Sequence, residues 1–288
     1  MQVLKDFGNL IKFKVNLVVV FTSILGYFIA SRGENIQISE LIGLSFGGFF
    51  TTGASHAINQ IIERKYDALM DRTKDRPLPS NRMSSAEVAI YALLMTLFGF
   101  ISFSIFNNGL TLFLGMISLL IYSFLYTPMK RIGSVAVAAG AIPGALPPAI
   151  GYVAYTGGFD KMAYLLFMIQ FVWQFPHFWS VAWLYFDDYS KGGYHLMPSK
   201  SGKSSRNAFF TFLSSVVLIP FIIMLYSFNL INAVWIIPIV VITLLFIYRA
   251  FRFYKKPERI MARNLMLSSI IYLPVLQILL ILAMWNFL

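Results

Sequence analysis

A chain of 288 residues that is 58% hydrophobic, 17% aromatic and only 12% charged is too apolar for a water-soluble globule, where charged residues make up roughly a quarter. Its formal charge of +11 does not call for nucleic acid, because the basic residues sit beside apolar runs as membrane-orienting charges do. Cysteine is absent, which excludes disulfides, zinc–thiolate sites and a thiolate-ligated haem.

Runs long enough to cross a bilayer as helices, about 20 residues each, fall near 14–30, 38–58, 86–106, 108–126, 135–155, 162–184, 208–228, 230–250 and 264–286. Nine spans are therefore predicted. Tight helical hairpins are expected at Asn107-Asn108 and at Ser227-Phe228-Asn229. With the N-terminus inside, all but Arg32 and Lys161 of the 23 Lys and Arg residues fall on one side. That alternation puts the C-terminus outside, and the headgroups of a bacterial plasma membrane suffice as the anionic partner. The opening MQVLKDFGNLIKFK has neither a secretory cleavage pattern nor transit-peptide composition. A single membrane domain over 1–288 is expected, with two four-helix units, about 14–126 and 135–250, and a ninth helix at 264–286.

The long inner loops, 59–85 and 184–207, hold the charged chemistry. In NQIIERKYDALMDRTKDRPLPSNR, Glu63, Asp67, Asp71 and Asp75 recur every four residues. On a helix Asn59, Glu63 and Asp67 share one stripe. Acid following acid at this spacing is unfavourable in itself, so the stripe asks for an external cation. Magnesium takes oxygen ligands and is usually held by one or two carboxylates plus substrate phosphates. Arg72, Lys74 and Arg76 follow, before Pro77 is expected to end the helical register. Acids for a metal beside forks for phosphate oxygens read as a diphosphate site.

Asp187 and Asp188 end the sixth span, with Lys191, Lys200 and Lys203 after them, and offer either a second metal or further phosphate contacts. His177 lies about one turn inside that span, where an ionisable side chain is a functional candidate and a neutral imidazole can ligate iron. His56 and His195 have weaker claims. Tyr122 and Tyr126 close the fourth span, above Lys130 and Arg131. The segment AAGAIPGALPPAIGY carries Gly140, Pro143, Gly144, Pro147, Pro148 and Gly151, and such a helix survives where it is buried or lines a cavity.

From about Lys12 to Pro274, the motifs NQIIERKYD with RTKDRP, YTPMKR, GAIPGALPP, FPHFWSVAW and DDY resemble the UbiA superfamily of intramembrane prenyltransferases. Within it they are similar to the protoheme IX farnesyltransferase branch. The resemblance implies an all-α bundle of nine transmembrane helices around a central cavity opening to the cytoplasmic side. It implies transfer of a farnesyl group from farnesyl diphosphate to a vinyl group of haem b, with addition of water and release of diphosphate. By the same resemblance Mg2+ is held by Asn59, Glu63 and Asp67, with Asp71, Asp187 and Asp188 as further ligands. Arg72, Arg76, Lys130, Arg131, Lys191 and Lys14, which stands where relatives have arginine, clamp the diphosphate. Tyr122 and Tyr126 then face an allylic cation and His177 the haem, and a haem A synthase or oxidase assembly factors follow downstream. A UbiA-type enzyme acting on an aromatic acid or quinone precursor shares the diphosphate chemistry without needing a haem ligand. An ion-coupled transporter would instead want its acids at the bilayer midplane.

Overall fold

The computed structural model describes residues 2–286, and the described residues are helical with no strand. Helix α1 (Gln2–Leu10) is short, and it parts from α2 (Phe13–Ser31) at Lys12, which is left-handed with φ 49°. Gln60 donates to the α1 carbonyls of Asn9 and Leu10 at 3.1 and 2.8 Å, meeting acceptors that a helix end leaves open. The rods that follow are α3 (Ile38–Asp67), α4 (Ser85–Phe106), α5 (Gly109–Met129), α6 (Val135–Thr156) and α7 (Lys161–Leu184). A short α8 (Phe186–Lys191) precedes α9 (Ser205–Ser227), α10 (Ala233–Lys255) and α11 (Arg259–Trp285). Seven rods, α2, α4, α5, α6, α9, α10 and α11, are long and apolar enough to cross a membrane. The two other predicted spans coincide with α3 and α7, helices of 30 and 24 residues that bury polar side chains such as Asn59, Gln60, Gln170 and Gln174.

The bundle is inverted relative to a soluble protein. Leu93, Phe98 and Ile101 of α4 and Leu244, Leu245 and Tyr248 of α10 are exposed, whereas Asn16, Gln60, Gln170, Gln174 and Gln277 are buried. Lipid is the solvent such a surface fits. Both expected hairpins form. Asn108 caps α5 by accepting from Thr111 N at 2.9 Å and donates to the Val153 carbonyl at 2.8 Å, while Asn229 takes φ 53° between α9 and α10.

Proline shapes α6. Pro147 and Pro148 each lack the N–H that would satisfy a carbonyl four residues back, and Gln170 donates to the freed Gly144 carbonyl at 2.7 Å. Gln174 adds a bond to the Ala141 carbonyl at 2.9 Å, so α7 stitches the proline-rich helix in place. On the other side α6 meets α2 backbone to backbone. A Cβ at Gly151 would lie 1.7 Å from the Ser23 carbonyl oxygen, and one at Gly26 would lie 2.0 Å from that of Pro148. Close approach of this kind is how membrane helices gain packing without a hydrophobic drive. Gly151→Val should therefore destabilise the detergent-solubilised protein by about 1–3 kcal/mol, seen as a lowered midpoint in a thermal unfolding scan, and an unchanged midpoint would refute the contact.

Candidate active site

The sequence shapes the α5 end of the site through Pro128. Lacking an N–H and crowding the carbonyl four residues back, it widens the preceding turn, so Ile121–Tyr126 runs as a π-helical stretch and Thr127 N bonds the Tyr122 carbonyl. That widening turns Tyr122 and Tyr126 together, with ring centroids 5.3 Å apart, to face α3. Thr127 Oγ1 donates to the Tyr122 carbonyl at 2.8 Å and accepts from Asn59 Nδ2 at 3.0 Å, locking the Asn59 amide.

A cavity of about 480 Å³ lies between α2, α3, α5, α6 and α7, within the range of small-molecule sites. Its charged mouth comprises Lys12, Glu63, Asp67, Arg72, Arg76 and Lys130, and its deeper wall includes Gly48, Thr51, His56, Gly115, Pro143, Pro147 and His177. Four cations against two carboxylates leave an excess of positive charge over an apolar pocket, which is a site for an anion with a hydrophobic tail. Lys130 Nζ lies 2.8 Å from Glu63 Oε1 and 4.5 Å from the Tyr126 ring centroid. Burial acts to lower the Lys130 pKa, but the Glu63 carboxylate outweighs it and holds the ammonium above its usual value. Arg76 donates to Asp67 Oδ2 at 2.7 Å, and the Arg72 guanidinium rests against the Tyr185 and Tyr189 rings at 5.4 and 5.6 Å.

The expected stripe is present, but it is shorter than the four-residue spacing predicts. Helix α3 ends at Asp67, ten residues before Pro77, because Thr73 Oγ1 caps the Asp67 carbonyl at 2.8 Å and the chain leaves in turns. Asp188 draws it away, accepting from the backbone N–H of Asp71 at 2.7 Å and of Arg72 at 3.4 Å. Asn59, Glu63 and Asp67 remain aligned and buried. Asp71, Asp187 and Asp188 do not join them, and among the described residues no three Asp, Glu or His side chains converge on a metal position. Asp71 is exposed and pairs with Lys191 and Lys74, and the Lys191 ammonium is the main reason its carboxyl lies below the usual range. Asp187 turns to Lys203 at 2.8 Å, which lowers its pKa likewise.

The residues present fit magnesium. Asn59 Oδ1 is a buried acceptor without a hydrogen-bond donor, and one helical turn along the same stripe Glu63 Oε1 is met only by the Lys130 ammonium, leaving a carboxylate lone pair over. Buried acceptors of this sort normally find partners, and oxygen donors are what this ion takes.

Among the expected phosphate contacts, Arg72, Arg76 and Lys130 line the cavity, whereas Lys14, Arg131 and Lys191 do not. Arg131 stacks on Tyr66 at 4.4 Å and donates to its hydroxyl at 2.7 Å. The left-handed turn at Lys12 sends that side chain inward, to within 3.5 Å of the Tyr122 hydroxyl, and leaves Lys14 exposed. Lys14, the expected phosphate contact, is therefore replaced by Lys12, and only the backbone conformation separates the two lysines of KFK. Tyr189 and Tyr194, also in the lining, carried no sequence signal beyond their closeness to Asp187 and Asp188.

His177 lines the deep part of the cavity, its ring stacked on Trp173 at 4.9 Å. Nδ1 lies 2.7 Å from Ser269 Oγ, whose own hydrogen goes to the Met266 carbonyl at 2.6 Å. Nδ1 therefore carries the proton, and Nε2 keeps a free lone pair. His195 is exposed and lies outside the cavity.

A polytopic helical bundle with this cationic mouth over an apolar cavity has the architecture of the intramembrane prenyltransferases. The chain belongs to the UbiA prenyltransferase family, whose model matches residues 19–273. Its curated relatives include proteins named protoheme IX farnesyltransferase from Flavobacterium johnsoniae, 39% identical over 95% of this chain and 92% of that one. The protein of that name from Cytophaga hutchinsonii is 37% identical over 94% of each chain. Two solved structures share the fold. A digeranylgeranylglyceryl phosphate synthase superposes with TM-score 0.79 at 21% identity, covering 99% of this chain and all of that one. A UbiA homologue from Archaeoglobus fulgidus bound to DMAPP and Mg2+ superposes with TM-score 0.69 at 15% identity over 98% of this chain and 100% of that one.

The bond from Asp188 to the 68–82 loop gives a direct check. Asp188→Ala should speed amide hydrogen exchange at Asp71 and Arg72 by about ten-fold while leaving α3 protected, and unchanged exchange would remove the link.

Proposed function

We propose that this membrane enzyme transfers a farnesyl group from farnesyl diphosphate to a vinyl group of haem b, with addition of water, giving haem O and diphosphate. The observation that carries the reading is one continuous cavity with a cation-rich end at Arg72, Arg76, Lys12 and Lys130 and a deep His177 whose Nε2 lone pair is free. The likeness to the named farnesyltransferases, extending over nearly the whole chain, supports the same substrates.

On this reading Arg72, Arg76, Lys12 and Lys130 bind the diphosphate oxygens, putting positive charge where negative charge grows as the C–O bond breaks. Asn59, Glu63 and Asp67 would hold Mg2+, which when bound neutralises charge on the leaving diphosphate. Arg76 and Lys130 are paired with Asp67 and Glu63 in the ligand-free protein, and exchange those carboxylates for phosphate oxygens. The Tyr122 and Tyr126 rings face the allylic cation and stabilise it by cation–π attraction. The apolar wall excludes bulk water that would capture this cation early. His177 contacts the haem iron through Nε2, oriented by Ser269. We read the chain as one catalytic domain of two four-helix units and a ninth helix, in a bacterial plasma membrane with the cavity mouth cytoplasmic. Its product then passes to haem A synthesis or oxidase assembly.

Incubating the purified protein with haem b, farnesyl diphosphate and magnesium should yield a porphyrin heavier by a farnesyl group plus a hydroxyl group on mass spectrometry. Haem b recovered unchanged would refute the reading. Excess EDTA should stop this turnover and added magnesium restore it, and activity that persists in EDTA would remove the metal. His177→Ala should abolish the shift in the haem absorption band on binding, and Ser269→Ala should weaken haem affinity by about 10-fold or more. A spectrum and affinity that neither change alters would take His177 off the iron.

A further inference from the structure

One group in the cavity has no task in the chemistry above. His56 is 5% exposed, lines the cavity from α3, and has no hydrogen-bond partner at either Nδ1 or Nε2. A neutral imidazole has one donor and one acceptor to satisfy, and leaving both unmet in a buried site is costly. The ring is held edge-on to Tyr122, with centroids 5.3 Å apart and planes at 80°, so it does not turn freely in search of partners. Thr51 Oγ1, more than one helical turn deeper on α3, also lines the cavity and also lacks a partner. The two nitrogens point to different sides of the ring, so one small molecule meets one of them; water, which can accept from the N–H or donate to the lone pair, is the one that buried polar sites normally hold.

Position decides what that water is for. His56 lies one turn below Asn59 on α3, at the boundary between the charged mouth and the apolar interior. A farnesyl diphosphate with its phosphates at Arg72 and Arg76 and its tail inward has its reacting carbon at that boundary. We propose that His56 holds the water molecule that adds to the alkylated vinyl group. This rests on the farnesyl-transfer reading. The C1–O bond breaks, its electron pair leaving with the diphosphate, and the vinyl π pair then forms the new C–C bond to C1 of the farnesyl cation. The cation is then on the vinyl carbon next to the porphyrin ring. An oxygen lone pair of the His56-held water forms the C–O bond there, and the surplus proton passes to the diphosphate. No oxidant or reductant is needed. A water fixed by an imidazole that Tyr122 holds in place is presented in one direction, whereas bulk water would capture the allylic cation wherever it arose.

The test is the mass of the porphyrin product. In the wild type nearly all alkylated porphyrin should carry the added water. In His56→Leu the cation should instead lose a proton, and the ratio of anhydrous to hydrated alkylated porphyrin should rise about ten-fold or more, while His56→Asn, which keeps a donor and an acceptor, should restore much of the hydrated product. His56→Phe, with a ring that fills the site, serves in place of His56→Leu if that variant does not extract as a monodisperse protein. A loss of packing alone lowers both products together and does not move their ratio. An unchanged ratio in the folded variant, or loss of all alkylation from it, overturns the assignment to His56. Absence of alkylation from the wild type instead overturns the farnesyl-transfer reading.

Discussion

Charge buried beside an apolar interior has to be compensated, and most of the structure around the cavity follows from that requirement. Removing one ion from water costs several kcal/mol even after relaxation. The mouth meets that cost with two close pairs, Glu63 with Lys130 and Asp67 with Arg76. Neither pair is final, because Lys12 and Arg72 remain over, and Asn59 Oδ1 keeps its lone pairs without a donor. On the proposed reading, a protein in this condition is stable enough to fold and still prefers a ligand that brings both a divalent cation and an anion. Substrate binding then exchanges partners among groups already desolvated, so little new charge has to be buried.

The rest of the fold keeps that arrangement dry and rigid. Glycine lets α2 and α6 approach backbone to backbone at Gly26 and Gly151. The prolines of α6 open a backbone acceptor that Gln170 meets, so the Gly144 carbonyl is not left bare. The π-helical turn at Ile121–Tyr126 spends regular helix geometry on aiming two tyrosines at one place. The left-handed turn at Lys12, the prolines Pro143 and Pro147 of α6 and the π-helical turn all border the cavity, as expected where local rules yield to function.

The all-helical membrane class was legible in composition, and the stripe Asn59, Glu63, Asp67 in spacing, because both depend on residues close in sequence. Where the reading failed, a contact between distant segments decided the outcome. Spacing alone extended the helix through Asp71 toward Pro77, but Asp188, more than a hundred residues away, takes the amides that would have continued it. The paired acids Asp187 and Asp188 look equivalent in the sequence, yet one faces Lys203 and the other the first loop. Lys14 was preferred to Lys12 on resemblance, and a single left-handed residue reverses them. His177 was found from its depth in an apolar run, but its proton position depends on Ser269. His56 was ranked low because a histidine beside an acidic stripe has no spacing signature, and its two unmet nitrogens are visible only in three dimensions.

The carboxylate of Asp188 joins two loops from opposite halves of the chain into one roof, reinforced by Lys191 on Asp71 and by Arg72 between Tyr185 and Tyr189. A cross-link of this kind makes the order of each segment depend on the other, so loss of the one carboxylate loosens both together although the two lie far apart in the sequence.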